Sequence, residues 1–394
     1  NLSPILTPEK HISSTHFHLT QTQTEHLLSG IHHVYQTHIN DVLLTALSQA
    51  LFQLTGEEKH AILLEGHGRE EIDPTIDITR TIGWFTTMYP VGLIAKQELF
   101  ETLKYTKENL RTIPNKGIGY GSLRGYDPHT LPQISFNYLG QFDQNAQKNS
   151  FWTLTNGLAG SVASPDYKNP LLININGLVI NGELQFNFDG LLSQKSMEKL
   201  SQLYQKALTE LVTRLQKTSR NYLTTSDIDS IISQNYLDEI QAPKEVEAVY
   251  LANNLQQGFI YHALTQGQKD NAYRLQIFWK YENKLDITYL KQAWQLAINK
   301  YPSLRLRFSW ENELVQIIDK QAELIWKYTD LSHYKTLIEQ KKSIDTIIRN
   351  DQSERYNLAQ GQLFRIHLIK KNQEQYFCLF SNHHAILDGW SMPV

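Results

Sequence analysis

The segment Ser381-Asn-His-His-Ala-Ile-Leu-Asp-Gly-Trp390 contains two adjacent histidines followed by an Asp-Gly turn. The apolar and aromatic run at 375–380 that precedes it predicts a buried strand. His383 and His384 therefore lie where a strand ends and a loop begins, a common place for chemistry because a rigid element aims the groups that a loop presents. One histidine can act as a base or hydrogen-bond partner in a cleft while the other packs, and an acid such as Asp388 can pair with a cation.

Two other interpretations of this stretch stay open. A histidine pair at a strand end can be purely structural, because perturbed or buried histidines also occur outside functional sites. His383, His384 and Asp388 are also metal-ligand types, but the carboxylate would have to fold back and no further Cys/His cluster lies near. No metal site is therefore predicted.

The composition is that of an ordinary globular protein, with 394 residues, 41% hydrophobic and 20% charged. This length predicts two or three domains. A net charge of −3 gives no argument for nucleic acid or an anionic membrane as a partner. The single cysteine, Cys378, excludes an internal disulfide and fits a reducing cytoplasm. No apolar run approaches the roughly 18 residues of a membrane-spanning helix, and no signal peptide is recognised.

A second candidate site follows the apolar run His60-Ala-Ile-Leu-Leu-Glu65, which predicts a buried strand. The next residues are Glu65-Gly-His-Gly-Arg-Glu70, in which the glycines allow a tight turn and a close approach to a ligand. A glutamate at the end of such a strand is partly desolvated, which raises its pKa toward that of a useful base. The alternative is a surface turn with solvated charges.

The remaining pattern predicts two units joined by a polar connector. A hairpin is expected around Asn181-Gly182, a turn pair that accepts positive φ at both positions, and a closing helix at 194–215. The sequence turns polar near 217. Thr224-Thr-Ser-Asp227 can then cap a short helix through Ile231 or beyond, and Ala242-Pro-Lys-Glu-Val-Glu247 is typical of a linker. Strands at 364–368 and 376–380 then pair within the second unit.

Residues 383–389 match the HHxxxDG motif, and the chain thereby resembles the condensation domains of nonribosomal peptide synthetases and their acyltransferase relatives. The first half resembles the epimerization domain of the same enzymes through five stretches in matching order and spacing. These are Asn40-Asp-Val-Leu-Leu-Thr-Ala46, Glu65-Gly-His-Gly-Arg-Glu70, Arg80-Thr-Ile-Gly-Trp-Phe-Thr-Thr-Met-Tyr-Pro90, Pro114-Asn-Lys-Gly-Ile-Gly-Tyr-Gly121 and Phe136-Asn-Tyr-Leu-Gly-Gln141. An epimerization domain also has its own HHxxxDG motif upstream, and nothing before Asn40 supplies it.

The resemblance implies an α/β fold (α+β lobes) like that of chloramphenicol acetyltransferase, here as two half-domains. Residues 1–218 would be the C-terminal lobe of an epimerization domain, 219–248 a linker, and 249–394 the N-terminal lobe of a condensation domain. Since neither domain would be complete, the chain is expected to be a fragment of a longer enzyme and inactive by itself.

The resemblance also assigns roles to residues. Glu65 would be the catalytic glutamate of the epimerase, with Asn137 and Tyr138 lining its site. His384 would be the active-site histidine of the condensing domain, as a base or as the group that orients the amine, with His383, Asp388 and Gly389 in supporting roles. Arg305 would pair with Asp388; the alternative is that Arg307 is the inward arginine.

The implied function is epimerization (L to D) of a carrier-bound aminoacyl or peptidyl thioester, followed by peptide-bond formation with a D-configured donor. No cofactor is expected to bind directly, because the phosphopantetheine arms of peptidyl carrier domains deliver the substrates. The implied partners are those carrier domains and the adenylation domains of the same synthetase in the cytoplasm, without nucleic acid or membrane. The alternatives are a CoA-dependent acyltransferase and a non-catalytic module that docks carrier proteins.

Overall fold

A computed structural model of the chain describes residues 6–127, 130–142, 171–265 and 272–393. The chain divides into two compact units, unit 1 at Asn1–Asn221 and unit 2 at Tyr222–Val394. Each unit combines β-sheet with helices, so the mixed α/β class that the sequence predicts is confirmed. None of the described helices has both the length and the apolar character needed to cross a bilayer.

Unit 1 is built on a six-stranded sheet with the strand order β1-β6-β5-β4-β2-β3. The neighbours β2/β4 and β4/β5 are parallel, and the other neighbouring pairs are antiparallel. The strands are β1 (Ser13–His18), β2 (Lys59–Gly66), β3 (Thr87–Ile94), β4 (Ile134–Gln141), β5 (Ile173–Ile180) and β6 (Glu183–Gly190). The helices are α1 (Gln21–Glu25), α2 (Ile39–Thr55), α3 (Leu99–Arg111), α4 (Tyr120–Arg124) and α5 (Gln194–Gln216).

Helix α5 covers one face of this sheet. Its N-cap is Ser193, whose side chain accepts a hydrogen bond from the Ser196 amide. Buried residues recur every three or four positions along it, the period that places them on one helix face. The ring of Tyr204 packs edge-on against Phe186 of β6 at 5.1 Å. The face of the sheet that Phe186 occupies is therefore the helix-covered face.

Two local predictions in unit 1 have different outcomes. The hairpin at Asn181-Gly182 is confirmed, with φ of 51° and 75° at the two turn residues. The sequence also predicts that Asn40-Asp41 caps the second helix, and this is wrong by two residues. His38 is the N-cap, and its amide donates to the Asp41 carboxylate at 2.7 Å.

Unit 2 contains a three-stranded sheet with the order β7-β10-β9 and a four-stranded sheet with the order β11-β12-β13-β8. The strands are β7 (Val246–Leu251), β8 (Arg274–Tyr281), β9 (Leu306–Ser309), β10 (Val315–Asp319), β11 (Trp326–Asp330), β12 (Phe364–Lys370) and β13 (Tyr376–His383). The helices are α6 (Gln234–Gln241), α7 (Asn254–Thr265), α8 (Ile287–Lys300) and α9 (Leu337–Ser353). The predicted pairing of the last two strands is confirmed by β12 and β13.

The segment 219–248, predicted as a linker that includes a short helix, contains regular structure. The predicted cap at Thr224 is confirmed, with a 3-10 turn at Thr225–Ile228. The segment also contains α6 and the start of β7, and its apolar side chains Leu237 and Val246 are buried in a cluster with Val315 and Ile317 of β10. A polar composition is compatible with this helix, because an amphipathic helix of eight residues needs only a few apolar positions.

Candidate active sites

Glu65 lies one residue before the end of β2. Its side chain is partly buried, and desolvation by burial raises the pKa of its carboxyl. This confirms the desolvation that the sequence predicts for a glutamate at the end of an apolar strand. Among the described residues, none forms a hydrogen bond or an ion pair with the Glu65 carboxylate. The carboxyl group is thus free to exchange a proton.

The loop after Glu65 is fixed by close backbone packing. Gly68 has a φ of +66°, and a Cβ there would lie 1.6 Å from the carbonyl oxygen of Phe85. Arg69 donates to the Ile78 carbonyl at 2.9 Å and lies 4.3 Å from the centre of the Phe85 ring. Only glycine therefore fits at position 68, and the Gly-His-Gly-Arg stretch forms a folded loop rather than a free surface turn.

This loop meets the second glycine-containing loop, which begins at Pro114. Lys116 Nζ lies 2.8 Å from one carboxylate oxygen of Glu70, and His67 Nε2 lies 3.1 Å from the other. A Cβ at Gly117 would lie 2.2 Å from the ring of Tyr89. Burial raises the pKa of Tyr89 to about 12, with a further contribution from Glu70. Two of the predicted motif stretches are therefore in contact, and they hold the end of β2.

Asn137 and Tyr138 lie on opposite faces of β4, so only one of them shares a face with Glu65. The β2/β4 ladder ends with the pair Leu64 and Phe136. Glu65 and Asn137 follow these two residues directly, so alternation puts them on the same face. Tyr138 is level with Gly177, which faces the Phe186 ring on the helix-covered side. Burial raises the pKa of Tyr138 to about 12. Strand alternation therefore removes Tyr138 from the face that carries Glu65.

In unit 2, His384 follows directly on β13 and is held in one orientation. Its Nδ1 lies 2.7 Å from the Leu387 carbonyl oxygen. A carbonyl only accepts, so Nδ1 carries the proton of the neutral ring and Nε2 keeps a lone pair. The ring also stacks on Phe259 of α7, with centroids 5.2 Å apart and an interplanar angle of 17°. The imidazole can therefore present Nε2 as a hydrogen-bond acceptor.

The loop that carries His384 is fixed from two sides. The His384 amide donates to the Tyr273 carbonyl at 2.7 Å, and Gln256 of α7 donates to the Ala385 carbonyl at 3.1 Å. His383 is buried, and its Nδ1 accepts from the Ala385 amide at 3.2 Å. The division predicted for the pair, with one histidine packed and one presented, is the arrangement found.

Arg305 does not pair with Asp388, which corrects the predicted contact. Arg305 is buried at the end of a 3-10 turn and lies 2.7 Å from Glu247, while its Nε donates to the Ile298 carbonyl. Asp388 is exposed and accepts from the amide and hydroxyl of Ser391 at 2.9 and 2.6 Å. These bonds lower the pKa of Asp388.

Two further residues, Arg307 and Gly389, were predicted as possible supports of the His384 loop. Arg307 is also buried and binds Asp319 at 2.8 Å, so both arginines point inward, each to its own acid. Gly389 is exposed, with no atom within 4 Å of a Cβ built there.

A buried ionic cluster supports β13 behind the histidines. Arg365 Nε donates to Asp351 at 2.5 Å, Gln276 donates to Asp351 at 2.7 Å, and the Ser381 hydroxyl also donates to it. Burial alone would raise the pKa of Asp351, but the hydrogen bonds from Arg365, Ser381 and Gln276 outweigh it and keep the pKa low. This cluster was not predicted from the sequence, although a charged residue between the apolar residues of Phe364-Arg-Ile366 indicates a buried charge that needs a partner.

An apolar cavity of about 970 Å³ opens beside the His384 loop. Leu387, whose carbonyl accepts from His384, lies in its wall together with Trp279, Trp294 and Phe380. A cavity of this size and lining can hold an apolar side chain or acyl group.

The family model described as "Condensation domain" matches residues 7–230 and 246–394. Bacitracin synthase 3 of Bacillus licheniformis is 33% identical over 396 residues, covering 95% of this chain and 6% of that protein. Tyrocidine synthase 2 of Brevibacillus parabrevis is 38% identical over 247 residues, covering 59% of this chain and 7% of that protein.

Among solved structures, the epimerization domain from the third module of tyrocidine synthetase B is 38% identical. It superimposes with a TM-score of 0.49 over 53% of this chain and 49% of that one. The chain spans only a small part of the synthases that it matches.

Proposed function

The chain belongs to the Condensation domain family of nonribosomal peptide synthetases, and from that premise we propose that it carries two half-sites of such an enzyme. Family membership also confirms the predicted chloramphenicol acetyltransferase-like fold class. The half-site around Glu65 would invert the α-carbon of a carrier-bound thioester. The half-site around His384 would form the next peptide bond, with the inverted D-residue as donor.

The observation that carries the first half of the proposal is the state of Glu65. It is partly buried, its pKa is raised, and no described residue neutralises it. A carboxylate in that state is a stronger base than a solvated or ion-paired one, because it is not already stabilised as the anion. Glu70, at the other end of the same motif stretch, is held by Lys116 and His67 and is unsuited to this role.

Inversion needs two proton transfers on opposite faces of one carbon. Removal of the α-proton leaves its electron pair delocalised onto the thioester carbonyl as an enolate. A proton then returns to the α-carbon from the other face, and no atoms are gained or lost. Glu65 would be one of the two acid/base groups, and a second group must act from the opposite side of the substrate.

In the second half-site, the nitrogen of an acceptor amine attacks the donor thioester carbonyl. A C–N bond forms, the C–S bond breaks, and the proton lost by the amine balances the thiolate that leaves. His384 Nε2 is suited to accept a hydrogen bond from that amine, because its Nδ1 is committed to Leu387. It would act as a base or as an orienting group.

The substrates would arrive on phosphopantetheine arms of peptidyl carrier domains, loaded by adenylation domains of the same synthetase. No cofactor would be bound by the chain itself. We further propose that the isolated chain is inactive, because each half-site needs groups supplied from outside it.

The test compares products of the synthetase that contains this chain. Glu65→Gln should give a product with an L-residue where the parent enzyme gives D, and His384→Ala should give no peptide bond at the following step. Glu183→Gln and His333→Ala, which change a glutamate and a histidine outside both sites, serve as matched controls. Unchanged products in both Glu65 and His384 variants would overturn the proposal and favour a module that only docks carrier domains.

A further inference from the structure

Three asparagines extend the Glu65 site across the sheet of unit 1. Asn137 of β4 pairs in register with Asn176 of β5, and Asn176 pairs with Asn187 of β6. Glu65 and Asn137 each directly follow the last residue pair of the β2/β4 ladder, Leu64 and Phe136. We call Asn137, Asn176 and Asn187 the amide row.

The amide row lies on the face opposite helix α5. On β5, Ile173, Ile175 and Val179 are buried and alternate with more accessible residues, among them Asn176. Asparagine is depleted in strand interiors, because its side chain competes for backbone hydrogen bonds and packs poorly. Three in register on one face therefore need a reason other than the stability of the sheet.

The side chains of the amide row form no hydrogen bonds with one another. Among the described residues, no hydrogen bond involves the side chains of Asn137, Asn176 or Asn187. Asn174, on the same strand and face as Asn176, behaves differently, because its amide donates to Asp189 at 3.3 Å. Asn174 therefore has a structural partner, whereas no described residue uses the side-chain donors and acceptors of the amide row.

The spacing of the amide row matches a chain laid across the strands. Neighbouring strands lie about 4.8 Å apart, which places Asn176 about 10 Å from Glu65 across the sheet. An extended chain rises about 3.3 Å per residue, so a substrate with its α-carbon at Glu65 reaches Asn176 two to three residues away. An asparagine side chain offers both a donor and an acceptor, the complement of the C=O and N–H of a secondary amide.

We propose that Asn176 is a positioning residue that binds a secondary amide of the thioester substrate, two strands away from the reacting carbon at Glu65. The proposal rests on the proposed epimerase function. Two parts of the substrate carry such amides: the peptide bonds of a peptidyl donor and the pantetheine arm. In either case Asn176 aligns the α-carbon without touching the reacting atoms.

The test measures α-hydrogen exchange from D2O into three synthetic thioesters by the synthetase that contains this chain. The thioesters are an aminoacyl-pantetheine, a tetrapeptidyl-pantetheine and a tetrapeptidyl S-propyl thioester, which has no amide in its arm. A tetrapeptide is used because its first peptide bond lies two to three residues from the reacting α-carbon. The variants are Asn176→Ala and Asn176→Val, the second of which favours the strand and keeps its fold. Asn174→Ala is the matched control on the same strand and face.

Both Asn176 variants should raise KM about three- to tenfold with kcat unchanged, the effect of losing one neutral hydrogen bond. A rise in KM for both tetrapeptidyl substrates but not for the aminoacyl one assigns the amide to the peptide. A rise for both pantetheine substrates but not for the S-propyl one assigns it to the arm. An unchanged KM for all three substrates, or an equal rise in Asn174→Ala, overturns the inference. Exchange of the α-hydrogen that persists in Glu65→Gln overturns the proposed epimerase function itself. This result is interpreted independently of the Asn176 variants.

Discussion

Glu65 and His384 are each presented at the end of a strand, but their surroundings differ. Glu65 has no bonding partner among the described residues and a raised pKa. His384 is held by the Leu387 carbonyl, by the Phe259 ring and through its own amide by Tyr273. The carboxyl group is thus left free to change its protonation state, whereas the imidazole is fixed in one tautomer and one direction.

The difference extends to what lies behind each residue. Unit 1 holds its site by glycine-dependent backbone packing, with Gly68 against Phe85 and Gly117 against Tyr89. Unit 2 holds its site by a buried ionic cluster centred on Asp351 and Arg365. A loop site can therefore be positioned either by steric fit or by buried charge, and the two supports should fail differently when they are mutated.

The largest effect on stability is expected from breaking the buried pair. Arg365 and Asp351 are 2% and 4% exposed. Arg365→Met leaves the Asp351 carboxylate buried without its cation and should lower the free energy of unfolding of unit 2 by about 3–5 kcal/mol. Urea unfolding of the chain measures this.

The matched control is Lys327→Met, which removes the surface pair with Glu354. This change should lower the free energy of unfolding by at most about 1 kcal/mol, as the loss of an exposed ion pair does. Equal losses in the two variants would mean that the cluster is no more important than a surface ion pair.

A smaller loss of stability is expected from a substitution in the loop that supports Glu65. Gly68→Ala forces a Cβ against the Phe85 carbonyl at a positive φ, and should destabilise unit 1 by more than about 1 kcal/mol. Gly92→Ala is the control, because Gly92 lies on the edge strand β3 with nothing within 4 Å of a Cβ. An equal melting temperature for the two variants would contradict the steric support of this loop by Gly68.

The smallest effect is a gain in stability rather than a loss. The raised pKa of Glu65 means that the folded chain loses this proton at a higher pH than the unfolded chain. Its ionised form is therefore destabilising above the folded pKa, and this penalty disappears below the ordinary glutamate pKa of about 4.3. Glu65→Gln should raise the melting temperature of unit 1 at neutral pH, with no such gain at acid pH. A less stable Gln variant at neutral pH would show that the carboxylate has a stabilising partner.

Sequence patterns predicted most of what depends on neighbouring residues. The hairpin at Asn181-Gly182, the strand before His383 and the desolvation of Glu65 follow from local period and turn chemistry. Pairing across the fold was not predictable in this way. Arg305 binds Glu247 rather than Asp388, and the choice depends on where two distant segments meet.

The amide row is a second case in which pairing across the fold could not be predicted from the sequence. The alternation in Ile173-Asn-Ile-Asn176 was visible in the sequence, and it predicts one polar face on β5. Its register with Asn137 and Asn187 was not, because register between strands is set by the whole sheet.

We propose above all that Glu65 moves the α-proton of a carrier-bound thioester. Exchange of that hydrogen with D2O, followed by mass spectrometry in the synthetase that contains this chain, tests it most directly. Glu65→Gln should slow the exchange at least about 100-fold, the usual contribution of a general acid/base group, while Glu183→Gln should exchange at the parent rate. An unchanged rate in Glu65→Gln, or the same loss in both variants, would contradict the claim.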